Sequence, residues 1–83
     1  LVSGHSPRTV KNARLCIPEL VKTDGPLGPT CRGRATNYSA MINLAATFDL
    51  NLMKKVAENI GKEVRVLGCN WLLGPCVNIA RVP

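Results

Sequence analysis

The sequence predicts an α/β chain organised as one strand, helix, strand unit, and three of its segments carry that prediction. The first is "ELVKT", residues 19–23, preceded by Pro18 and ended by the breaker Gly25-Pro26. Proline suits the first position of a strand, and a Gly-Pro pair stops one. The second is "DLNLMKKVAENIGKEVRVLG", a helical repeat. The third is "NWLL", residues 70–73, a short apolar run ended by Gly74-Pro75. A run of that kind reads as a buried strand such as a parallel sheet supplies.

The helix, predicted over residues 50–67, is the clearest element. Met53, Val56, Ala57, Ile60, Val64 and Leu67 form an apolar stripe, and Asn51, Lys54, Lys55, Glu58, Lys62 and Arg65 repeat its spacing two residues earlier. Two residues turn a helix by about 200°, so the polar stripe lies opposite the apolar one. Asp49 is placed to cap the N-terminus, Gly68 to end the helix at the position after its C-cap, and Glu58 to pair with Lys62 one turn on. The polar face mixes signs, which suits a packed surface helix better than a membrane-surface one. Gly61 costs about 1 kcal/mol against Ala inside a helix and suggests close approach to a neighbouring element. Upstream, "SAMINLAATF" is nearly all apolar and predicts a short buried helical turn or two.

A strand, helix, strand unit with a right-handed crossover makes its two strands parallel. One such unit leaves apolar strand faces open, so a larger α/β protein is implied, doubly wound or a barrel. In either, sites gather at the C-terminal ends of the strands, where Asp24 and the loop after Leu73 fall. "DGPLGP" is not a dinucleotide-binding glycine pattern, and no P-loop occurs.

The 83 residues bound one small domain. Eleven basic against five acidic residues give +6, which could mark a small basic module for nucleic acid or another anion. The cations are scattered, however, and one Trp, one Tyr and one Phe make no platform for stacking bases, so no nucleic acid is expected as a partner. No apolar run reaches the ~18 residues of a membrane span, so no membrane is expected either. A first residue other than Met, and an end at Arg81-Val82-Pro83, fit a piece of a longer chain. Cys16, Cys31, Cys69 and Cys76 show no metal-ligand spacing beside the single His5, so no metal and no cofactor is expected. With no secretory context, free and mostly buried thiols are the expected state. Asn37-Tyr38-Ser39 is a glycosylation sequon of a kind common by chance.

"IPELVKTDGPLG", "INLAATFD" and "LLGPCVNIAR", in that order and spacing, resemble the opening of the catalytic domain of glycoside hydrolase family 3, whose commonest members are β-glucosidases. The resemblance covers most of residues 14–83, and residues 1–13 match poorly. It implies that the chain, residues 1–83, is the βαβ portion of a (β/α)8 TIM-type barrel, incomplete here, from a glycosidase cleaving terminal β-linked glucosides or related sugars by a retaining mechanism. It gives Asp24 the role of hydrogen-bonding the sugar in the subsite where cleavage occurs. Two carboxylate oxygens can take bonds from two adjacent hydroxyls. The plainer role for Asp24 is to cap the turn at Gly25.

The pattern departs from the family in that Pro29 and Thr30 stand where an arginine is common, leaving Arg32 or Arg34 as candidates; Arg32 is the second expected sugar contact. Ser39 replaces a usual proline and Val82 an aspartate. Retaining hydrolysis needs two carboxyl groups about 5–5.5 Å apart. The resemblance puts both outside this chain, so no catalytic residue is expected within it. The partners expected are a β-glucoside or oligosaccharide and the remainder of the parent chain. The alternative to an enzyme fragment or a basic module is a non-catalytic hydrolase remnant.

Overall fold

The computed structural model describes residues 7–31, 33–78 and 81–82. In chain order they form a 3₁₀ turn at Ala13–Leu15, strand β1 at Lys22–Asp24, a short helix α1 at Met41–Ala45, the long helix α2 at Leu50–Val66, and strand β2 at Trp71–Leu73. β1 and β2 pair in parallel with Lys22, Thr23 and Asp24 opposite Trp71, Leu72 and Leu73. Asp24 and the residues after Leu73 therefore sit at one end of two parallel strands, as the sequence predicts.

Both strands are shorter than residues 19–23 and 70–73, and the reason is a single side chain. Asn70 Oδ1 accepts the Val21 N–H at 2.7 Å, and its Nδ2 donates to the Glu19 carbonyl at 3.3 Å. A side-chain amide thus occupies the place of a ladder residue opposite Leu20. Residues 20–22 turn instead to the N-terminal segment: Thr9 N–H donates to the Leu20 carbonyl, Leu20 N–H to the Thr9 hydroxyl, and Lys22 N–H to the Pro7 carbonyl. Asp24 is the last residue of its strand rather than the residue beyond it.

Helix α2 forms where the periodicity places it, one residue shorter at its C-terminus. Asp49 caps it, its Oδ1 accepting the Leu52 N–H at 2.9 Å. The far end closes with Gly68 N–H donating to the Arg65 carbonyl and Cys69 N–H to the Val64 carbonyl, while Gly68 takes φ +75°. That pair of bonds around a left-handed glycine is a Schellman cap, and it satisfies two otherwise orphaned carbonyls. Glu58 pairs with Lys54, at 4.0 Å, rather than with Lys62. A β-carbon at Gly61 would meet nothing within 4 Å, so the close approach expected there is not found among the described residues.

The core is Val21, Ile60, Val64 and Cys69, with Val56, Leu67, Leu72, Tyr38, Met41 and Cys31 packed against it. It lies between one face of the two-stranded sheet and the C-terminal half of α2. The expected burial fails at three places. α1 contains no buried residue, and Ile42 is 58% exposed. On β2, Trp71 and Leu73 are exposed, and only Leu72 turns toward the helix side. The cysteines are not all free: Cys31 and Cys69 form a disulfide across 38 positions, while Cys16 and Cys76 are free and exposed. The loop after β1 returns to the C-terminal end of α2 and brings the two thiols together, a juxtaposition that spacing alone does not reveal.

Candidate functional site

The end of the strands is built around one residue pair, Thr23 and Asp24, whose side chains leave β1 on opposite faces. Thr23 is buried on the helix-facing side. Its hydroxyl oxygen accepts the Thr30 N–H at 3.1 Å and the Cys31 N–H at 3.2 Å, and its O–H donates to the Asp24 carbonyl at 3.0 Å. One threonine therefore gathers the loop that follows β1. Between these points Gly25-Pro26-Leu27-Gly28 makes a β-turn, Gly28 N–H donating to the Gly25 carbonyl at 3.1 Å. Proline and glycine stand where a type I turn favours them, second and fourth.

Gly28 is required there for two reasons. Its φ of +104° is left-handed, and a β-carbon would lie 2.6 Å from the Thr36 carbonyl oxygen and 2.9 Å from the Tyr38 ring. Gly25 is confined differently: a β-carbon on it would collide with the Leu72 side chain.

Asp24 is exposed, and among the described residues its carboxylate makes no hydrogen bond or ion pair. The turn-capping role open to it from sequence is taken by backbone and by Thr23. Lys22 shares its strand face, as parity requires, yet the described ion pairs join Arg8 to Glu19 and Lys54 to Glu58 and leave Lys22 and Asp24 apart.

Every other acid is engaged. Glu19 binds Arg8 at 2.7 Å, Asp49 caps α2, Glu58 faces Lys54, and Glu63 holds the loop. The Glu63 carboxylate accepts from Thr36 N–H at 3.1 Å, Thr36 Oγ1 at 2.6 Å and Tyr38 OH at 3.0 Å. The Thr36 hydroxyl, above all, holds the Glu63 carboxyl below its ordinary value, whereas burial and the bond to Glu63 raise the Tyr38 phenol. From sequence Glu63 is only a residue of the predicted helix, outside both its apolar and its polar stripe. Its offset from the Lys62 stripe, on the side where α2 meets the loop, was the one available sign.

Arg32, the second expected sugar contact, lies outside the described residues, as does His5. Among the described residues no group of three or more His, Cys, Asp or Glu side chains could hold a metal ion, and no helix is long and apolar enough to cross a membrane. Beyond Gly25 and Leu72 an apolar groove of ≈ 360 Å³ opens between α1, the N-terminal half of α2 and residues 75–78.

Comparison with known proteins adds an independent line. The family model described as the glycosyl hydrolase family 3 N terminal domain matches residues 3–83, reaching further toward the N-terminus than the resemblance read from sequence. A protein named probable beta-glucosidase F from Aspergillus fumigatus is 44% identical over 71 residues, covering 84% of this chain and 8% of its own length. The protein of the same name from Aspergillus flavus is 42% identical over 71 residues, again 84% of this chain and 8% of its own. A probable beta-glucosidase J from Aspergillus fumigatus is 39% identical over 79 residues, 84% of this chain and 9% of its own. The chain thus spans under a tenth of the curated relatives it matches. No solved structure matches it significantly.

Proposed function

This chain belongs to the glycosyl hydrolase family 3 N-terminal domain family, and from that premise we propose that it forms the first βαβ portion of a (β/α)8-type barrel in a glycosidase acting on terminal β-linked glucosides or related sugars. Its part in that enzyme is to supply a piece of the sugar-binding subsite, with Asp24 as the principal contact and Arg32 as a second. The catalytic pair of a retaining mechanism comes from elsewhere in the parent polypeptide.

The observation that carries this reading is the state of the five acids: four are bound to partners within the fold, and Asp24 alone stands open at the C-terminal end of a parallel strand. In a barrel that end is where substrates bind. The bare sheet face, carrying Lys22, Asp24, Trp71 and Leu73, is the side opposite α2; in a closed barrel with helices outside, that side faces the interior. A carboxylate with free acceptor oxygens there can take bonds from two neighbouring sugar hydroxyls, and contacts that tighten in the transition state supply several kcal/mol.

The test is turnover of a chromogenic β-glucoside by three preparations: the full-length polypeptide carrying this chain, its Asp24→Ala variant, and the 83 residues alone. Strong turnover by the first, severe loss of kcat/KM in the folded second and none by the third are expected. A variant as active as its parent would remove Asp24 from the site.

A further inference from the structure

We infer that Glu63 is a positioning residue for the turn that follows Asp24, acting through Thr36, Tyr38 and Gly28. The inference rests on the proposed sugar-binding role of Asp24 and extends it to a residue on the other element.

The path is continuous. Glu63 takes three hydrogen bonds from the loop arm that ends at Tyr38, two of them from Thr36. A helix-surface glutamate ordinarily spreads into water, and ordering it for one purpose costs side-chain entropy. Here both oxygens are committed to one strip of loop, through one backbone N–H and two side-chain hydroxyls. That strip is the wall against which Gly28 lies: Tyr38 N–H donates to the Leu27 carbonyl at 2.9 Å, and the Thr36 carbonyl and Tyr38 ring close the space beside the Gly28 α-carbon. Gly28 in turn closes the turn onto Gly25, and Gly25 is wedged against Leu72 and the Gly74 backbone. Asp24 is the next residue.

The other end of the loop has its own supports. Thr23 holds Thr30 and Cys31, and the disulfide ties Cys31 to Cys69. Beyond the Tyr38 N–H bond to Leu27 and the packing of Tyr38 against the core, Glu63 supplies the side-chain hydrogen bonds that hold the arm containing Thr36 and Tyr38 among the described residues. Loss of its carboxylate frees the wall and lets the Gly25–Gly28 turn relax, while α2, the core and the disulfide stay as they are. A shift of about 1 Å in a positioned group can cost about a hundredfold in rate. Both Glu63 oxygens are taken by Thr36 and Tyr38, so on this inference its effect passes through the loop to Asp24.

The experiment uses the full-length polypeptide with Glu63→Gln, Tyr38→Phe, Asp24→Ala and the double variant Asp24→Ala/Glu63→Gln, assayed on 4-nitrophenyl β-glucoside with melting temperatures recorded alongside. Glutamine keeps the shape and removes the charge: with its oxygen on the Thr36 N–H, its NH₂ faces the Thr36 and Tyr38 hydroxyls, and the charge-assisted bonds are lost. Glu63→Gln is expected to lower kcat/KM about tenfold, mainly through KM, and Tyr38→Phe about threefold, since bonds to a charged group are worth more than neutral ones. The double variant should be no worse than Asp24→Ala, because positioning a missing carboxylate has no value. A merely structural Glu63 would add its loss to that of Asp24→Ala, whatever it does to the melting temperature. Unchanged KM in Glu63→Gln, or additivity in the double variant, overturns the inference while a damaged Asp24→Ala keeps the sugar-contact reading. A fully active Asp24→Ala removes both. If Glu63→Gln does not fold, Tyr38→Phe decides, and unchanged kinetics there overturns the inference.

Discussion

The two halves of α2 carry one apolar stripe and meet opposite circumstances. Toward its C-terminus Ile60 and Val64 are buried and Leu67 half-buried, packed with Val21 and Leu72, the helix end is closed by its glycine cap, Glu63 ties down the loop, and Cys69 is bonded to Cys31. Before Ile60 the same stripe lines an open groove, and the entry to the helix shows Phe48 at 92% and Leu50 at 78% exposure. Periodicity tells which face of a helix is apolar. It does not tell how much of that face 83 residues can cover.

The comparison is broken or sharpened by measurement, the largest effect first. Activity belongs to neither half: purified 83-residue chain should give no detectable turnover of a chromogenic β-glucoside, since two carboxylates at fixed separation are required and Asp24 stands alone. On stability the halves should separate clearly. Ile60→Ala should cost about 2–5 kcal/mol in urea unfolding, enough to unfold so small a domain, whereas Leu50→Ala should cost about 0.5 kcal/mol or less because its side chain is already in water. Equal costs would mean that the groove is closed in solution. Cys31→Ser with Cys69→Ser should lose about 3–4 kcal/mol, as expected for a 38-residue loop, read as a fall in the urea midpoint. Asp49→Ala, at the open end, should cost only about 1 kcal/mol through loss of the cap, seen as fraying of the first helical turn by amide exchange.

The smallest effect is a pH dependence confined to the closed half. The Glu63 carboxyl is held below its ordinary value of 4.5, so its contribution is fully present above that pH and is lost as pH falls through the lowered folded value. Stability of the 83-residue chain should therefore decline on acidification below about pH 4.5, and less so in Glu63→Gln. At the alkaline limit the raised Tyr38 phenol works in the other sense: its contribution is present below pH 10.0 and disappears as pH rises through the folded value.

Much of this was legible beforehand because it is local. Asp49 and Gly68 announce the ends of α2, and the Gly-Pro pairs announce the ends of both strands. What sequence did not show depends on which distant residues meet. The disulfide needs the loop to double back from β1 to the end of α2. Glu63 reads as one more charged residue of the helix until Thr36 and Tyr38 arrive beside it. Asn70 reads as a strand residue, although its side chain does the pairing. The exposure of Trp71, Leu73 and Ile42 follows from having only two strands among the described residues to fold against.

Asn70 also decides something larger than the length of a strand. Side chains in a strand alternate, so sliding β1 by a single residue against β2 would send Lys22 and Asp24 beneath the helix and turn Val21 and Thr23 outward. Three ladder residues on each strand are few to forbid that slip. The amide of Asn70 grips the backbone on both sides of Leu20, and its own N–H and that of Trp71 both reach the Val21 carbonyl, so only one alignment satisfies all four bonds. An uncharged side chain at the opposite end of the strands from the acid thereby selects the side of the sheet on which the acid emerges.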